Sequence, residues 1–548
     1  MSLKSATPMK FNKEIQLGTK EQTAQDNLFS RINIFTSFNY CCMKKFFAVI
    51  VFVCVAVTGI AIPPGKYHLL IAPGTLTENS VTLLWDKQES VKPSEYQVML
   101  NGKPAFITTK TNFAVNGLQP NTTYTVAVRV KSNVTKPDAY TLTFTTAAKG
   151  KIYNILDYGA KNDTAFKNTN AIQAAINACG KGGTVYIPKG VFVSGALFLK
   201  SDMTLQIAEG AVLKGSKDTS DYLPLYLNRF EGWEMATYAS LLNAGTLNRN
   251  GSYNVNNLRI TGGGTIEGGG KQLGNAMITA RGIRSRGRLI CLMNCKDVAI
   301  SNLTIKEPPC WTIHYIYSNN ITCCNLNIIT YNIRNGDGID PDSSTDSYIF
   351  NCTFDTGDDC IAIKSGKNPE GFYVAKPTKN VRITDCDFIR GHGISIGSEM
   401  SGGVSDVLVQ DCKAGALING MQIKATKERG GYVKNVTVDH CQLLKITVFS
   451  SLNYNNDGEG APEPPTFENF TFSNIDLSMA SVKDPVININ GFKDAAHRLK
   501  NVSFTNITMP EGAKVLINDA EKVAFGNVQS ASGAKPVYTV NNSADVNY

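Results

Sequence analysis

Short segments of this chain repeat one pattern, in which a glycine and an ionisable residue precede an apolar alternation. They are Asn335–Pro341, Gly357–Ile363 and Gly391–Ile396. Aligned on their first isoleucine, these segments place Asp337, Asp359 and His392 at one shared position, with Asp358 one residue earlier. Grouping three carboxyl groups and an imidazole costs electrostatic repulsion, which favours a chemical use for them.

A fourth segment, Asn419–Lys424, extends the series. It places Asn419 at the shared position and Lys424 two repeats beyond Lys364. Hydrolysis of a glycosidic bond needs one carboxyl group that keeps a proton as general acid, and carboxylates that hold the attacking water. We expect Asp358 to face the leaving oxygen, and the two acids of the shared position to hold the water.

The alternative is a structural role for these acids. Asp and Asn often stabilise turns between strands, and Gly-Asp-Gly is a common turn sequence, so any one of the acids is more simply structural. Their occurrence together, at matching positions of successive repeats, favours catalysis.

A longer repeat predicts the elements that position these residues. A pattern of eight residues recurs eight times between Val298 and Met509. Its first and third residues are apolar, the next two are polar, and its sixth and eighth residues are apolar again. A period of two indicates strands, and steps of 23 to 34 residues are too short for strand–helix–strand units. The third apolar position of each repeat is Leu303, Leu326, Cys352, Cys386, Cys412, Cys441, Ile475 and Ile507.

Strands that coil at this spacing predict an all-β fold, a right-handed parallel β-helix. Each coil buries its apolar residues against those of the next coil. Equivalent residues of adjacent coils then lie about 4.8 Å apart. Asp337, Asp359 and His392 are therefore expected to form one outward-facing column.

With these motifs, residues 151–548 resemble the polygalacturonase family, glycoside hydrolase family 28. The family's Asn-Thr-Asp, Gly/Gln-Asp-Asp, Gly-His-Gly and Arg-Ile-Lys motifs are similar to Asn335–Asp337, Gly357–Asp359, Gly391–Gly393 and Gln422–Lys424. The run Pro309–His314 is also similar to bacterial members. Two departures occur: Gly336 replaces Thr, and Gln422 replaces Arg, which removes one cation from the expected carboxylate clamp.

The resemblance implies an inverting hydrolase that cleaves the α-1,4-galacturonosyl linkages of pectin, without a metal or another cofactor. It implies that Asp358 is the acid, that Asp337 and Asp359 activate water, and that His392 tunes the acid. Lys424 is expected to bind a uronate carboxylate. The further candidates for substrate binding are Gln422, Asp340 and Tyr454.

Bacterial members with an N-terminal fibronectin-like domain tend to act on chain ends, so the resemblance also implies exo action. The long segments Asp221–Asn256 and Lys367–Thr378 are candidates for closing one end of the cleft.

Other functions stay open. Gln422 can indicate a decorated pectin, either xylogalacturonan or rhamnogalacturonan, as the substrate. A pectate lyase uses the same fold with calcium and a basic residue, for which Arg390 is a candidate. A non-catalytic adhesin can use the solenoid to bind a polyanion, although the acids make a poor groove for it. The fold alone does not separate these functions.

The N-terminal residues contain an export signal that begins late. Met43–Lys45 is basic, Phe46–Val57 is apolar, and Thr58–Ala61 ends in small residues, so we assign 43–62 as a signal peptide. Residues 1–42 lack such a pattern and are interpreted as an extension upstream of the true start. The apolar run is shorter than the ~20 residues of a membrane span. We expect a secreted or periplasmic protein without stable membrane insertion.

Residues 63–147 are predicted to form a separate β-sandwich that resembles a fibronectin type III domain. Ser80–Trp85, Tyr96–Leu100 and Tyr124–Val130 alternate with a period of two, and Trp85 and Tyr124 are expected in its core. Ala147–Gly150 is the expected linker to the catalytic domain at 151–548. Asn170–Cys179 has helical spacing and is expected to cap the solenoid.

Composition and cysteine content add limits. The net charge of +9 is explained by a solvated surface as well as by a polyanionic substrate. Of 14 cysteines, three precede the predicted mature chain, and the four at the inward repeat position are expected to form a buried thiol stack. The sequence has no zinc-type pairs of cysteines and no phosphate-binding glycine loop. We expect a monomer whose partner is a pectic polysaccharide and not nucleic acid.

Overall fold

The computed structural model describes residues 69–87, 95–131, 139–450 and 458–548. The predicted extension and signal peptide, and the candidate Tyr454, lie outside the described residues. Among the residues that are described, no helix has both the length and the apolar character that crossing a membrane requires.

Short apolar strands from successive coils stack into a long parallel sheet, the cleft sheet. Ile339 pairs with Ile361, and Ile361 pairs with Ile394, so the alignment predicted from the sequence is the register of the fold. The strands of the cleft sheet are Leu197–Leu199, Leu242–Ala244, Ile290–Met293, Ile313–Ile316, Ile339–Asp342, Ile361–Ile363, Ile394–Ile396, Met421–Lys424, Ile446–Phe449, Ile487–Asn490, Lys514–Asn518 and Val537–Asn541.

A second parallel sheet, the flank sheet, completes the coils. Its strands are Ile152–Asn154, Gly183–Ile187, Gly190–Ser194, Met203–Ile207, Ala211–Gly215, Val255–Thr261, Thr265–Glu267, Cys295–Lys306, Asn319–Ile329, Thr345–Phe350, Thr353–Asp355, Thr378–Thr384, Asp387–Gly391, Val404–Gln410, Lys413–Leu417, Tyr432–Asp439, Thr466–Asp476, Leu499–Met509, Ala520–Ser530 and Ala544–Asn547. The predicted right-handed parallel β-helix is confirmed.

The flank sheet bends at the two polar residues of each repeat. Asn302, Asn325 and Asn506 lie there with φ of 56°, 53° and 57°. This left-handed conformation is one that Asn adopts more readily than most residues. The bend lets the apolar pairs on both of its sides reach one core, as Ile300 and Leu303 do.

The predicted thiol stack is confirmed. Cys352, Cys386, Cys412 and Cys441 are buried and not bridged, and each lies in the solenoid core. Burial raises the pKa of the Cys386 thiol well above its ordinary value, so these cysteines act as small apolar residues.

A helix at Thr169–Ala178 covers the first coils and buries Ile172, Ala175 and Ile176 in the core, which confirms the predicted capping helix. An antiparallel hairpin forms from Tyr226–Phe230 and Trp233–Thr237. The other helices and turns of helix are Gly270–Arg281, Glu370–Val374, Ile155–Tyr158, Thr219–Tyr222, Ile283–Ser285 and Ala495–His497.

The N-terminal residues of the described chain form the predicted β-sandwich. Trp85 and Tyr96 meet edge to face in its core with ring centroids 5.5 Å apart, and Tyr124 packs against that core while partly exposed. One antiparallel sheet contains Leu69–Ile71, Ser80–Trp85 and Asn112–Asn116, and the other contains Tyr96–Leu100, Lys103–Thr108, Thr123–Val130 and Ala139–Thr145.

The sandwich packs directly on the flank sheet, and both belong to one compact unit, Pro64–Tyr548. Leu84 contacts an apolar cluster that includes Tyr348 and Phe350. Beside this cluster, Asn112 Nδ2 donates to Asp385 Oδ2 at 2.7 Å. The sandwich is therefore a fixed support of the coils rather than a loosely tethered module.

Candidate active site

Adjacent cleft strands bring the predicted acids together. The backbone N–H of Gly338 donates to the carbonyl of Asp359 at 3.0 Å, and that of Cys360 donates to Gly393 at 2.8 Å. A Cβ at Gly338 would clash with the Cys360 carbonyl, and one at Gly393, whose φ is +87°, would clash with Gly420. These glycines therefore permit the close coil contact that stacks the acids.

Asp359 is buried among donors and cations. Ser395 Oγ donates to its Oδ1 at 2.6 Å, Lys424 Nζ lies 3.4 Å from its Oδ2, and His392 Nδ1 lies 3.7 Å from its Oδ1. Burial alone would raise the pKa of Asp359, but Lys424, His392, Lys364 and Ser395 outweigh it and hold the pKa well below its usual range. Asp359 is therefore a carboxylate at neutral pH.

Asp337 has the opposite environment. Burial, Asp340 and Asp358 raise the pKa of Asp337 well above its ordinary value, and Lys364 only partly opposes them. The pKa of Asp340 is raised to about 7, mainly by burial. Lys364 Nζ lies 3.7 Å from Asp337 Oδ2 and 3.6 Å from Asp340 Oδ1. The neighbouring acids Asp337 and Asp340 thus hold a proton under conditions in which Asp359 does not.

His392 lies beside two of the acids. Its Nδ1 lies 3.1 Å from Asp358 Oδ1. Hydrogen bonds to Asp358 and Asp359 raise the pKa of His392 to about 10 despite its partial burial. The ring is therefore an imidazolium whose Nδ1 faces Asp358 and Asp359.

Asp358 is the most accessible of the three acids. Its side chain is 27% exposed, against 4% for Asp337 and 5% for Asp359. All three line a cavity of about 430 Å³. The remaining lining residues are Glu231, Arg284, Trp311, Asn335, Lys364, Lys367, Gly397, Ser398, Glu399, Lys424 and Arg429. Asp358 is therefore the acid that a bound molecule can reach most readily.

The candidates for substrate binding divide into two groups. Lys424 lines the cavity, and its binding of a uronate carboxylate stays a prediction. Gln422 instead donates from Nε2 to Ser395 Oγ at 3.2 Å and supports the serine that holds Asp359. Asp340 is fully buried beside Lys364. The positions of Gln422 and Asp340 fit indirect roles better than direct contact with substrate.

The long segments named from the sequence meet at the cavity. Trp233 Nε1 donates to the Asn368 carbonyl at 2.9 Å, and the Lys367 N–H donates to Gly232 at 3.0 Å. Glu231 and Lys367 both line the cavity, one from each segment. The hairpin and the Lys367–Thr378 segment are therefore joined side by side along its wall.

Sequence reasoning missed several lining residues. Lys364 was visible only as the register equivalent of Lys424, and its contact with Glu399, at 3.5 Å, had no sequence signal. Trp311 lies within the motif-like run Pro309–His314, and the Lys364 ammonium lies 4.7 Å from the centroid of its ring. Arg284 and Arg429 come from segments without any motif.

Comparisons with known proteins agree with this arrangement. Residues 184–529 match the family model described as glycosyl hydrolases family 28, and residues 69–145 match that of the fibronectin type III domain. An exo-poly-alpha-D-galacturonosidase of Dickeya chrysanthemi is 29% identical over 84% of this chain and 90% of its own. A probable polygalacturonase of Vitis vinifera is 34% identical over 57% of this chain and 65% of its own.

Among solved structures, the family 28 exopolygalacturonase of Yersinia enterocolitica has a TM-score of 0.79 and 26% identity, covering 88% of this chain and 99% of that one. The resemblance inferred from the motifs is confirmed. Since the family model matches well over half of its length, this chain is a glycoside hydrolase and belongs to glycosyl hydrolases family 28.

Proposed function

We propose that the chain hydrolyses α-1,4-galacturonosyl linkages of polygalacturonate from a chain end. The relatives named above as polygalacturonases and exopolygalacturonases support this substrate. The observation that carries the proposal is that Asp358, an accessible carboxyl group 3.1 Å from His392 Nδ1, shares a cation-rich cavity with two more buried acids. Membership of a hydrolase family removes the lyase and the non-catalytic adhesin as alternatives.

In this mechanism Asp358 donates its proton to the glycosidic oxygen while the bond to the anomeric carbon breaks. Asp359, which is ionised, accepts a proton from the water that attacks the anomeric carbon. Asp337 holds the same water in place. The His392 imidazolium tunes Asp358 by a hydrogen bond, and Lys424 binds a uronate carboxylate as a point charge.

The stereochemical outcome needs a separate argument. Side-chain oxygens of Asp358 and Asp359 lie within 4.8 Å of each other, shorter than the roughly 6.5–9.5 Å that is usual for inverting enzymes. We nevertheless propose inversion, because Asp359 is too recessed and too firmly held by Ser395 and Lys424 to bond to a sugar. Proton NMR of the first product is the test, and retention of configuration would refute it.

The two joined segments beside the cavity support exo action. A polymer can cross an open groove at any linkage, whereas a groove blocked on one side admits only a chain end. Polygalacturonate should therefore yield short products from the first minutes, resolved by size, without a ladder of long oligomers. Release of random lengths would contradict exo action while leaving the hydrolytic chemistry intact.

Decorated pectins are the second candidate. The replacement of Arg by Gln422 raised this alternative, but Gln422 is bonded to Ser395 and is not among the residues that line the cavity. Comparing polygalacturonate with xylogalacturonan and rhamnogalacturonan decides between them, and a strong preference for either decorated polymer would refute the primary substrate.

We also propose export through the segment 43–62, with residues 63–147 and 151–548 as the domains of a monomeric mature chain. Activity retained inside the cytoplasm, with residues 43–62 still attached, would contradict this.

A further inference from the structure

Asp342 bonds both segments that close the cavity. This residue ends the cleft strand that follows Asp337, and its carboxylate is fully buried. Its Oδ1 accepts from Arg229 Nη1 at 2.8 Å and from the backbone N–H of Gly366 at 3.1 Å. Arg229 belongs to the hairpin, and Gly366 immediately precedes the Lys367–Thr378 segment. One carboxylate thus connects both halves of the wall to the coil.

Both terminal nitrogens of Arg229 donate hydrogen bonds to neighbouring side chains. The same Nη1 donates to Ser343 Oγ at 2.8 Å, and Nη2 donates to the Tyr317 hydroxyl. Glu234, further along the hairpin, lies 3.6 Å from Arg229. The Nε–H of Arg229 has no hydrogen-bond partner among the described residues. The guanidinium group is buried, however, so a substrate in the cavity cannot reach it.

An outer part of the network continues this connection. Arg249 Nη2 lies 2.7 Å from Glu234 Oε2 and 3.1 Å from Glu370 Oε1. It therefore ties the hairpin to the short helix Glu370–Val374 in the other wall segment. Arg249 is 40% exposed, so its replacement disturbs the wall without burying an unpaired charge.

Asp342 is ionised within this network. Arg229 and His314, which lies 3.2 Å from Asp342 Oδ2, hold the pKa of Asp342 below its usual range although burial alone would raise it. Burial lowers the pKa of His314 to about 4, so the ring is neutral at working pH. A buried ion pair of this kind contributes little net stability but fixes one arrangement of the parts that it joins.

We propose that the Arg229–Asp342 pair is a positioning device that holds the cavity wall closed and thereby determines product length. The inference rests on the exo action proposed above and goes beyond it by naming what maintains the closure. Arg229 acts through the hairpin and never touches the reacting atoms. Weakening the pair lets the wall separate, so that a polymer can lie across the acids and be cut internally.

The test compares Arg229→Lys with Arg129→Lys. Lysine keeps a positive charge beside Asp342, but its single ammonium group cannot bond Ser343 and Tyr317 at the same time. Arg129 lies in the sandwich and donates to Gln97 at 2.9 and 2.6 Å, so it is a matched control far from the wall. With Arg229→Lys we expect the share of products longer than those of the wild type to rise about tenfold, which corresponds to the loss of one charge-assisted hydrogen bond.

Initial products from polygalacturonate, resolved by size, are measured beside kcat, KM and the melting temperature of each variant. If Arg229→Lys folds and its product lengths are unchanged, the inference is refuted. A loss of kcat without a change in product length also refutes it, because Arg229 would then only stabilise the strand that carries the acids. If that variant does not fold, Arg249→Gln replaces it, and short products at wild-type melting temperature refute the inference. Long products from the wild type itself would refute exo action and this inference together.

Discussion

Replacing Lys424 by methionine separates two contributions of one ammonium group. Its Nζ lies 3.4 Å from Asp359 Oδ2, and both side chains are nearly buried. In the proposed mechanism the same group binds a uronate carboxylate of the substrate. The first contribution acts on the pKa of Asp359, and the second acts on substrate affinity.

The size of the first contribution follows from the distance. Two unit charges about 4 Å apart interact by about 4 kcal/mol at an effective dielectric constant of 20. An opposite charge at this range lowers the pKa of a carboxyl group by about one to three units. His392, Lys364 and Ser395 remain in the variant, so the pKa of Asp359 should rise toward its ordinary value by about that amount.

The sign of the effect on activity is fixed by the role of Asp359. It must be ionised to accept a proton, so activity falls as the pH drops through its pKa. In the wild type that pKa lies below its usual range. The acid limb of the profile of activity against pH therefore lies at low pH. In Lys424→Met the acid limb should move upward by about one to three pH units.

The assay is kcat/KM on polygalacturonate across the acidic range. Lys427→Met is the matched control, because this lysine is 75% exposed and pairs with Glu428; titration of the substrate affects both variants equally. A higher KM with an unshifted acid limb would mean that Lys424 binds substrate only, and would refute the electrostatic reasoning.

The other predictions concern separate parts of the molecule. Asp358→Asn should lose about 10² to 10⁴ in kcat while folding and substrate binding persist, and retention of a tenth of the activity would remove Asp358 as the acid. Gln422→Arg should keep or raise turnover of polygalacturonate, and a loss of turnover would favour a decorated substrate. Deleting the sandwich should cost roughly 2 to 5 kcal/mol of stability, because Tyr348 and Phe350 lose apolar cover, and an unchanged thermal unfolding curve would contradict that.

The column of catalytic candidates could be predicted because register in a parallel solenoid is a sequence property. A slip of one residue would turn every core isoleucine outward, so burial of Ile339, Ile361 and Ile394 fixes the alignment. Asp337, Asp359 and His392 precede these isoleucines by the same two residues. Their positions therefore follow once the coil is recognised.

Depth and charge state could not be predicted in the same way. Asp337 and Asp340 lie three residues apart and were both expected at the substrate, yet Asp340 is fully buried beside Lys364. The contact of Lys364 with Glu399 depends on how the chain leaves two different cleft strands. Such contacts depend on loop conformation, which a repeat alignment does not encode. The contact of Asn112 in the sandwich with Asp385 in the solenoid joins residues far apart in the sequence, so the repeat alignment does not predict it either.

Chemistry and product length are thus assigned to different parts of the chain. The acids lie on coils whose register is local, whereas the wall depends on Arg229 reaching Asp342 across 113 residues. Changes in the wall should alter where the polymer is cut without altering how the bond is broken, because Arg229 touches none of the reacting groups. Changes at Asp358 should do the reverse. The sequence named both wall segments through the family resemblance, but only the folded chain shows the Arg229–Asp342 contact that joins the hairpin to the coil.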